Sequence, residues 1–167
     1  MTPEQFNAVY RSQLGEISRF LARRVAPDEV DDLAADLFEI AWQKRSAIPE
    51  GLELPWLYKT ARYLIANHRR KIQNRARIFN LLSAPEAAPS AESIALADIQ
   101  LGSAWEKLSA FDRELLALWA LEGLEVKEIA LVLELSSNAT GIRITRAKEK
   151  LRILLEQENS DDLATLS

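Results

Sequence analysis

The N-terminal part of the chain has the apolar spacing of an amphipathic helix. Apolar side chains recur three or four residues apart between residues 6 and 25, which places them on one helix face. Thr2 and Gln5 can form a capping box ahead of this run, and Pro3 suits a first helical turn. Pro27 cannot continue a helix. We therefore predict a first helix that begins near Pro3 and ends before Pro27.

Two further helices are predicted before residue 83. Residues 30–42 carry a second apolar face, and Asp28 is in position to cap this helix. Pro49 breaks it. Pro55 stands at a first-turn position of a third helix, which we expect to continue to about Leu82.

The second half of the chain returns to the helical pattern after an interruption. Residues 83–91 are small, polar and proline-bearing, as in a linker. Apolar spacing then resumes, with Ser109 in position to cap a helix and Gly123 in position to end it. Two shorter helices are predicted at residues 126–133 and 138–155.

These elements predict an all-α fold made of two small helical domains joined by a flexible linker. No stretch alternates apolar and polar residues as a strand would, and no internal repeat is present. The composition agrees, since 48% of residues are hydrophobic, 28% are charged, and glycine and proline are scarce. We place the first domain at residues 1–82, the linker at 83–100, the second domain at 101–156, and an acidic, frayed tail at 157–167.

The charges are segregated along the chain. The formal net charge of −4 alone argues against a general nucleic-acid binder. Yet residues 54–85 contain no acid, and residues 143–152 contain a single one. Such segregation predicts two kinds of partner surface. The basic residues are Lys59, Arg62, Arg69, Arg70, Lys71, Arg75 and Arg77 in the first cluster, and Arg143, Arg146, Lys148, Lys150 and Arg152 in the second.

Several classes of protein are disfavoured by what the sequence lacks. Without cysteine there is no disulfide framework and no thiolate zinc site. No signal-peptide pattern and no membrane-length apolar run is present, so we expect a cytoplasmic protein without membrane insertion. The one histidine, His68, has no acid beside it in sequence, and there is no phosphate-binding loop. We therefore expect no enzyme, no catalytic residue, no metal site and no cofactor.

Residues 126–155 have the pattern of a helix-turn-helix. Ala130 is small where two helices would cross closely, and the turn that follows is short and polar. The second helix carries Arg143 and Arg146, as expected of a helix that lies in the major groove and contacts phosphates and base edges. The alternative is an ordinary helical hairpin with a polar surface.

Two other segments offer candidate partner surfaces. In residues 55–77, aromatic residues such as Trp56 and Tyr63 lie among lysines and arginines, as in proteins that stack the bases and neutralise the backbone of single-stranded DNA. The alternative there is a solvated helix surface. Residues 31–42 form an amphipathic helix whose acidic outer face can dock on a basic protein surface, although a plain packed helix has the same pattern.

In their order and spacing, the three segments resemble the extracytoplasmic-function (ECF) sigma factors of bacterial RNA polymerase, members of the sigma-70 family. The resemblance covers nearly the whole chain up to residue 155. The matching motifs are Asp31-Asp32-Leu33 with Phe38 and Trp42, residues 56–62 with Arg69-Arg70, residues 108–114, Leu121-Glu122-Gly123-Leu124, Glu128-Ile129-Ala130 with Leu133, and Arg143 with Arg146-Ala147.

The resemblance implies a protein that binds the RNA polymerase core and directs promoter-specific initiation, in a stress or envelope response under anti-sigma control. The implied partners are the β′ clamp and β flap of the polymerase, promoter DNA and an anti-sigma factor. The implied core-binding residues are Asp31, Asp32, Leu33, Asp36, Leu37, Phe38 and Trp42. The implied minus-ten readers are Lys59, Arg62, Tyr63, Asn67, His68, Arg69, Arg70 and Lys71. The implied minus-thirty-five readers are Ser137, Asn138, Thr140, Arg143, Arg146 and Lys150.

Four positions depart from the family pattern. Ala35, on the core-binding helix, stands where the family usually has Gln. In the minus-ten reader, Tyr63 replaces a usual Asn and Asn67 a usual Asp. Gly141 ends a segment that replaces a typical Thr-Val-Lys. Glycine within a helix costs about 1 kcal/mol relative to alanine and adds no charge, so either DNA approaches the backbone there or recognition is weaker.

Two other functions fit parts of the sequence. A conventional helix-turn-helix regulator would dimerise and bind palindromic sites without polymerase, whereas a sigma factor binds promoter DNA weakly until the core is present. A helical adaptor would bind polymerase or another protein without reading DNA, and the missing charge at Gly141 keeps that alternative open.

Overall fold

The computed structural model describes residues 1–78, 88–92 and 98–166, and all regular elements in these ranges are helical. The chain divides into two compact units, Met1–Ala87 with Leu131–Leu133, and Ala88–Ala130 with Glu134–Ser167. The predicted all-α fold with two helical parts is therefore confirmed. The α-helices are α1 (Pro3–Ala22), α2 (Val30–Gln43), α3 (Glu53–Ile78), α4 (Ile99–Lys107), α5 (Ala110–Ala120), α6 (Val126–Leu133) and α7 (Ser137–Thr165).

Helices α1, α2 and α3 pack around one apolar core in the first unit. Phe20 and Tyr58 are fully buried there, and their rings stack with centroids 4.5 Å apart. The predicted capping box of α1 is confirmed, since the Gln5 amide donates to Thr2 Oγ1 at 3.2 Å and the Thr2 amide donates to Gln5 Oε1 at 2.7 Å. Because the apolar faces of α1, α2 and α3 pack together, the opposite side of α3 is the one left at the surface.

The start of α2 differs from the prediction. Pro27 opens a short 3-10 helix, Pro27–Glu29, which moves the beginning of α2 to Val30. Asp28 is exposed and is not the cap. Instead the longer side chain of Glu29 reaches back, and its Oε2 accepts a hydrogen bond from the Ala26 amide at 3.1 Å. The predicted end of α3, residues 79–82, lies outside the described residues.

In the second unit, α4, α5 and α7 share a core formed around Trp105 and Ala147. The predicted cap at Ser109 is confirmed by the Asp112 amide, which donates to Ser109 Oγ at 3.1 Å. The predicted stop at Gly123 is also confirmed. This glycine has φ +68°, and the following Leu124 amide donates to the Leu118 carbonyl at 3.1 Å, which closes the end of α5.

Part of the predicted linker contacts the second unit. The Trp105 indole Nε1 donates to the Pro89 carbonyl at 2.8 Å, and Ala91 packs against the core of this unit. Asp98 caps α4, since its Oδ1 accepts from the Leu101 amide at 2.9 Å. Residues 83–87 and 93–97 of the predicted linker lie outside the described residues.

The frayed tail predicted from residue 157 is wrong up to Thr165, because α7 continues through it. Two contacts with α4 hold this extension. Gln100 Nε2 donates to Asp162 Oδ2 at 2.7 Å, and Lys107 Nζ donates to the Glu158 carboxylate. The prediction failed because it considered only the polar composition of the tail, whereas α4 provides hydrogen-bond partners for it.

Candidate nucleic-acid and polymerase interfaces

Helices α6 and α7 are joined by a tight turn with defined hydrogen bonds. Glu134 adopts a left-handed φ of +56°, and the next amide, that of Leu135, donates to the Ala130 carbonyl at 3.0 Å. Ser136 then caps α7, its Oγ accepting from the Ala139 amide at 3.1 Å. Ala130, just before the turn, is buried. The local geometry is that of a helix-turn-helix.

The outer side of α7 carries most of the predicted minus-thirty-five residues. Ser137, Asn138, Arg143 and Arg146 are exposed. Thr140 requires a correction, because it is fully buried and its hydroxyl donates to the Ser136 carbonyl at 2.8 Å. It braces the turn and offers no surface to DNA in this conformation.

Side chains of α5 hold three cations of α7. The Lys148 Nζ lies 3.5 Å from the centroid of the Trp119 ring, and the Arg143 guanidinium lies 5.2 Å from that of Phe111. Lys150 Nζ donates to an Asp112 oxygen at 2.8 Å. Phe111 falls within the motif at residues 108–114, but neither Phe111 nor Trp119 was predicted as a site residue. The sequence could have indicated them only as aromatic residues on the otherwise polar, exposed side of an amphipathic helix.

Further along α7, an acid within the basic cluster is neutralised locally. Glu149 accepts two hydrogen bonds from Arg152, at 2.5 and 3.0 Å. These bonds lower the pKa of the Glu149 carboxyl and raise the pKa of the Arg152 guanidinium. Both groups therefore stay charged across the physiological pH range, and the pair adds little net charge to this part of the helix.

Helix α3 presents the predicted minus-ten residues in two ways. Asn67, Arg70, Lys71 and Tyr63, which is 51% exposed, lie on the outer surface. Lys59, Arg62, His68 and Arg69 are half-buried. One Arg70 nitrogen donates to Asn67 Oδ1 at 2.5 Å. The exposed subset forms a continuous polar strip along the helix.

Contacts from the α1–α2 connection fix two of the half-buried residues, His68 and Arg69. His68 Nε2 lies 2.6 Å from Glu29 Oε1, and Arg69 NH2 donates to the Arg24 carbonyl at 2.6 Å. The sequence shows no acid near His68, and the partner comes from 39 residues away. Glu29 is a site residue that sequence reasoning missed, and no local pattern could have identified it.

The acidic face of α2 is exposed and borders the basic strip of α3. Asp31, Asp32, Ala35 and Asp36 lie at the surface. A groove brings Asp36 together with four predicted minus-ten residues; its lining is Leu33, Asp36, Leu64, Asn67, His68, Arg70, Lys71 and Asn74. The two predicted surfaces of this unit are therefore adjacent.

The apolar members of the predicted core-binding set require a correction. Leu37 is fully buried, and Leu33 and Phe38 are nearly so, because they form the face of α2 that packs on α1 and α3. They shape the helix. Leu37 and Phe38 offer little or no contact surface in this conformation, and Leu33 contributes only to the lining of the groove. Trp42 remains 39% exposed, with its ring 5.2 Å from Phe6 and its face covered by Arg45.

Two structural findings concern other kinds of site. Within the described ranges, no group of three or more acidic or histidine side chains is placed to hold a metal ion. None of the helices in these ranges is long and apolar enough to cross a membrane.

Comparison with known sequences gives a consistent result. Residues 99–151 match the sequence model of Sigma-70, region 4. The chain is 31% identical over 145 residues to a probable RNA polymerase sigma factor, RfaY, of Xanthomonas campestris pv. campestris, covering 81% of this chain and 36% of RfaY. It is 28% identical over 141 residues to the RNA polymerase sigma factor NccH of Alcaligenes xylosoxydans xylosoxydans, covering 79% of this chain and 76% of NccH. The chain thus spans about a third of the first relative and three quarters of the second.

Solved structures show the same fold. The sigma factor RpoE of Bartonella quintana, in complex with the anti-sigma factor NepR, superposes with a TM-score of 0.68 at 22% identity, covering 92% of this chain and 98% of RpoE. CnrH, in complex with the cytosolic domain of CnrY, superposes with a TM-score of 0.60 at 24% identity, covering 93% of this chain and 90% of CnrH.

Proposed function

We propose that the chain is a sigma factor of the ECF type that binds the RNA polymerase core and directs initiation at a defined class of promoters. The proposal is supported by the match of residues 99–151 to Sigma-70, region 4, and by the similarity of the chain to two sigma factors. In this role the chain itself catalyses no reaction, since the polymerase makes the transcript. It acts in the cytoplasm, where the polymerase and its promoters are.

The observation that carries the proposal is the outer side of α7. A capped helix follows a tight turn, buries one side against α5, and exposes Asn138 and Arg146 on the other side. Arg143 is also exposed, beside the Phe111 ring of α5. A helix of this kind fits the major groove, with amide and guanidinium groups for base edges and phosphates. It lies within the segment that matches region 4. We assign it to the minus-thirty-five element.

The surface of α3 supports a second DNA contact. Tyr63 offers an exposed ring, and Arg70 and Lys71 offer exposed cations on the same helix. Rings and cations together bind single strands by stacking and by neutralising phosphates. We assign this strip to the minus-ten element, where one strand must be held apart from the other.

We assign the acidic face of α2 to the polymerase core. Asp31, Asp32 and Asp36 are exposed there, with Trp42 as an apolar group near the end of the same helix. Carboxylates steer such a face to a basic protein surface, and an exposed aromatic ring adds contact area. Core binding by this face leaves the basic strip of α3 for DNA.

We further propose control by an anti-sigma protein, because RpoE was solved with the anti-sigma factor NepR and shares the fold of this chain. We propose that such control serves a stress or envelope response.

The remaining proposed partner is the β flap of the polymerase, which we assign to the part of the chain that matches region 4.

Run-off transcription tests the proposal directly. The full chain is added to RNA polymerase core with a library of genomic fragments, and start sites are mapped. We expect initiation at a limited set of sites that share a two-part promoter. No initiation above that of core alone would contradict the proposal. Tight, sequence-specific binding to palindromic DNA by the chain without core would favour a conventional helix-turn-helix regulator instead.

A further inference from the structure

The outer side of α7 has an apolar centre. At about 100° per residue, Asn138, Ile142 and Thr145 project in nearly the same direction, away from the buried Ile144 and Ala147. Ile142 is 44% exposed. A β-branched side chain gains nothing for the helix itself at an exposed position, so Ile142 is available to contact a ligand there.

The cations of this helix lie beside that centre rather than on it. Arg143 and Lys148 are held over aromatic rings of α5, and Lys150 is paired with Asp112. Arg146 lies at the edge of the same depression as Ile142. At about 100° per residue, Lys148 and Arg146 lie on opposite sides of the centre, where they can meet phosphates. Lys150 is neutralised by Asp112, and the centre is left to other side chains.

Thr145 and Gly141 add little polarity to the centre, although threonine carries a hydroxyl and glycine exposes backbone. The Thr145 hydroxyl donates to the Gly141 carbonyl at 3.0 Å, so its proton is engaged within the helix. The methyl group and the acceptor lone pairs of the oxygen are left for a ligand. Gly141 has no side chain, and nothing but Val126 lies within 4 Å of the position where its Cβ would be. The result is a shallow depression lined by Ser137, Asn138, Gly141, Ile142, Thr145 and Arg146.

We infer that Ile142 and Thr145 determine sequence specificity by contacting thymine methyl groups in the major groove, with Gly141 allowing the duplex to approach closely. The C5-methyl of thymine is the apolar group that a base presents in the major groove. An apolar patch between cations that face phosphates matches that group and no other base edge. The inference rests on the proposed function, because it assumes that α7 reads the minus-thirty-five element.

Deoxyuridine substitution tests the inference at the level of one methyl group. In a promoter obtained from the run-off experiment, each thymine of the minus-thirty-five element is replaced in turn by deoxyuridine, which lacks only the C5-methyl. Binding of the holoenzyme, assembled with the full chain, is then measured by competition. We expect a loss of about fourfold at one or two positions, as for one buried methyl-sized group, and little change at the others.

Variants of the chain assign the effect to its residues. Ile142→Ala should weaken binding to the thymine promoter and remove the deoxyuridine effect at its own position. Ile153→Ala is the matched control, since Ile153 is 42% exposed on the same helix but lies outside the depression. It should retain both the affinity and the deoxyuridine effect. Because both isoleucines are exposed, neither variant should unfold, and helicity by circular dichroism checks this.

The outcomes separate this inference from the proposed function. Sequence-specific binding that is insensitive to deoxyuridine at every position would overturn the inference and leave the proposed function intact. A deoxyuridine effect that persists in Ile142→Ala would also overturn it for that residue. If Ile142→Ala weakened binding to core polymerase but not to DNA, the patch would be a protein contact. Absence of any sequence-specific binding by the holoenzyme would overturn both.

Discussion

Lys150 and Asp112 form an ion pair, with Lys150 Nζ 2.8 Å from Asp112 Oδ2, and the pair joins α7 to α5. Asp112 is nearly buried, whereas the Lys150 side chain is 59% exposed. Asp112 therefore cancels a cation on the side of α7 that we assign to phosphate contacts. Because of this pair, the basic cluster of α7 contributes less electrostatic free energy to DNA binding than its number of cations indicates.

Asp112→Asn should release this restraint. We expect the slope of log affinity against log salt, measured with promoter DNA and holoenzyme, to steepen by up to about one, because a freed Lys150 can displace a counterion. The unfolding free energy should fall by about 1 kcal/mol, since the Lys150 end of the pair is exposed to solvent and asparagine keeps a polar group at the nearly buried Asp112 position. Asp98→Asn is the control: it removes the same charge and keeps a good helix cap, and it should leave the slope unchanged.

Arg146→Ala should act in the opposite direction. Arg146 is exposed at the edge of the depression on α7, and loss of one phosphate contact should make the salt slope shallower by about one. Arg11→Ala removes an exposed cation of α1, outside both basic clusters, and should have no such effect. Equal slopes for wild type and Arg146→Ala would show that this side of α7 does not face DNA.

Local signals in the sequence were sufficient for the helices and for several of their ends. The caps at Thr2 and Ser109 and the stop at Gly123 each depend on hydrogen bonds within six residues, so composition at those positions determines them. The pairs Glu29–His68 and Asp112–Lys150 join residues 39 and 38 positions apart. Such pairs are created by tertiary packing, and no spacing rule predicts them.

The same distinction explains which site residues needed correction. Their roles were implied by the resemblance to a family, and a segment that binds a partner includes residues that support its surface as well as those that form it. The four residues are Thr140, Leu33, Leu37 and Phe38. Helical periodicity places the three apolar residues of α2 inside, and the structure agrees. For Thr140 the deciding feature is its hydrogen bond to the Ser136 carbonyl, which depends on the turn geometry.

Glu29→Ala should destabilise the first unit by about 1–2 kcal/mol. The substitution removes the acceptor for the Ala26 amide and the partner of His68, and an unsatisfied cap and a lost side-chain bond each cost of that order. Hydrogen exchange of the amides of α1–α3 in the full chain measures the change. Asp28→Ala is the matched control: the exposed neighbour does not cap α2, and its loss should be nearly neutral. Equal destabilisation by both variants would contradict the assignment of the cap.

The same substitution at two glycines should have opposite effects on stability. Gly141→Ala should stabilise α7 by about 1 kcal/mol, because the added Cβ would meet Val126 Cγ1 at 3.9 Å, an ordinary contact. Gly123→Ala should destabilise by about 1 kcal/mol, since φ is +68° there. Hydrogen exchange of the α5 and α7 amides reports both changes. If DNA approaches the helix backbone at Gly141, the more stable variant should also bind promoter DNA more weakly.

The end of α7 should loosen in acid. Hydrogen bonds from Lys107 first, and from Ser103, lower the pKa of the Glu158 carboxyl below its ordinary value. A carboxyl whose pKa is lower in the folded state contributes stability at neutral pH. That contribution is lost as the pH falls through the folded-state pKa, which for Glu158 lies below the ordinary pKa of a glutamate. Amide chemical shifts of residues 158–165 should therefore move toward unstructured values over that range. The side chain in Glu158→Gln cannot titrate, so this variant should show a weaker transition. Glu156→Gln is the control, because the partner of Glu156 is Arg152 on the same helix. The contacts of α7 with α4 remain in the control, and the transition should remain as well. A transition of equal size in Glu158→Gln would show that α4 does not hold this end of the helix through Glu158.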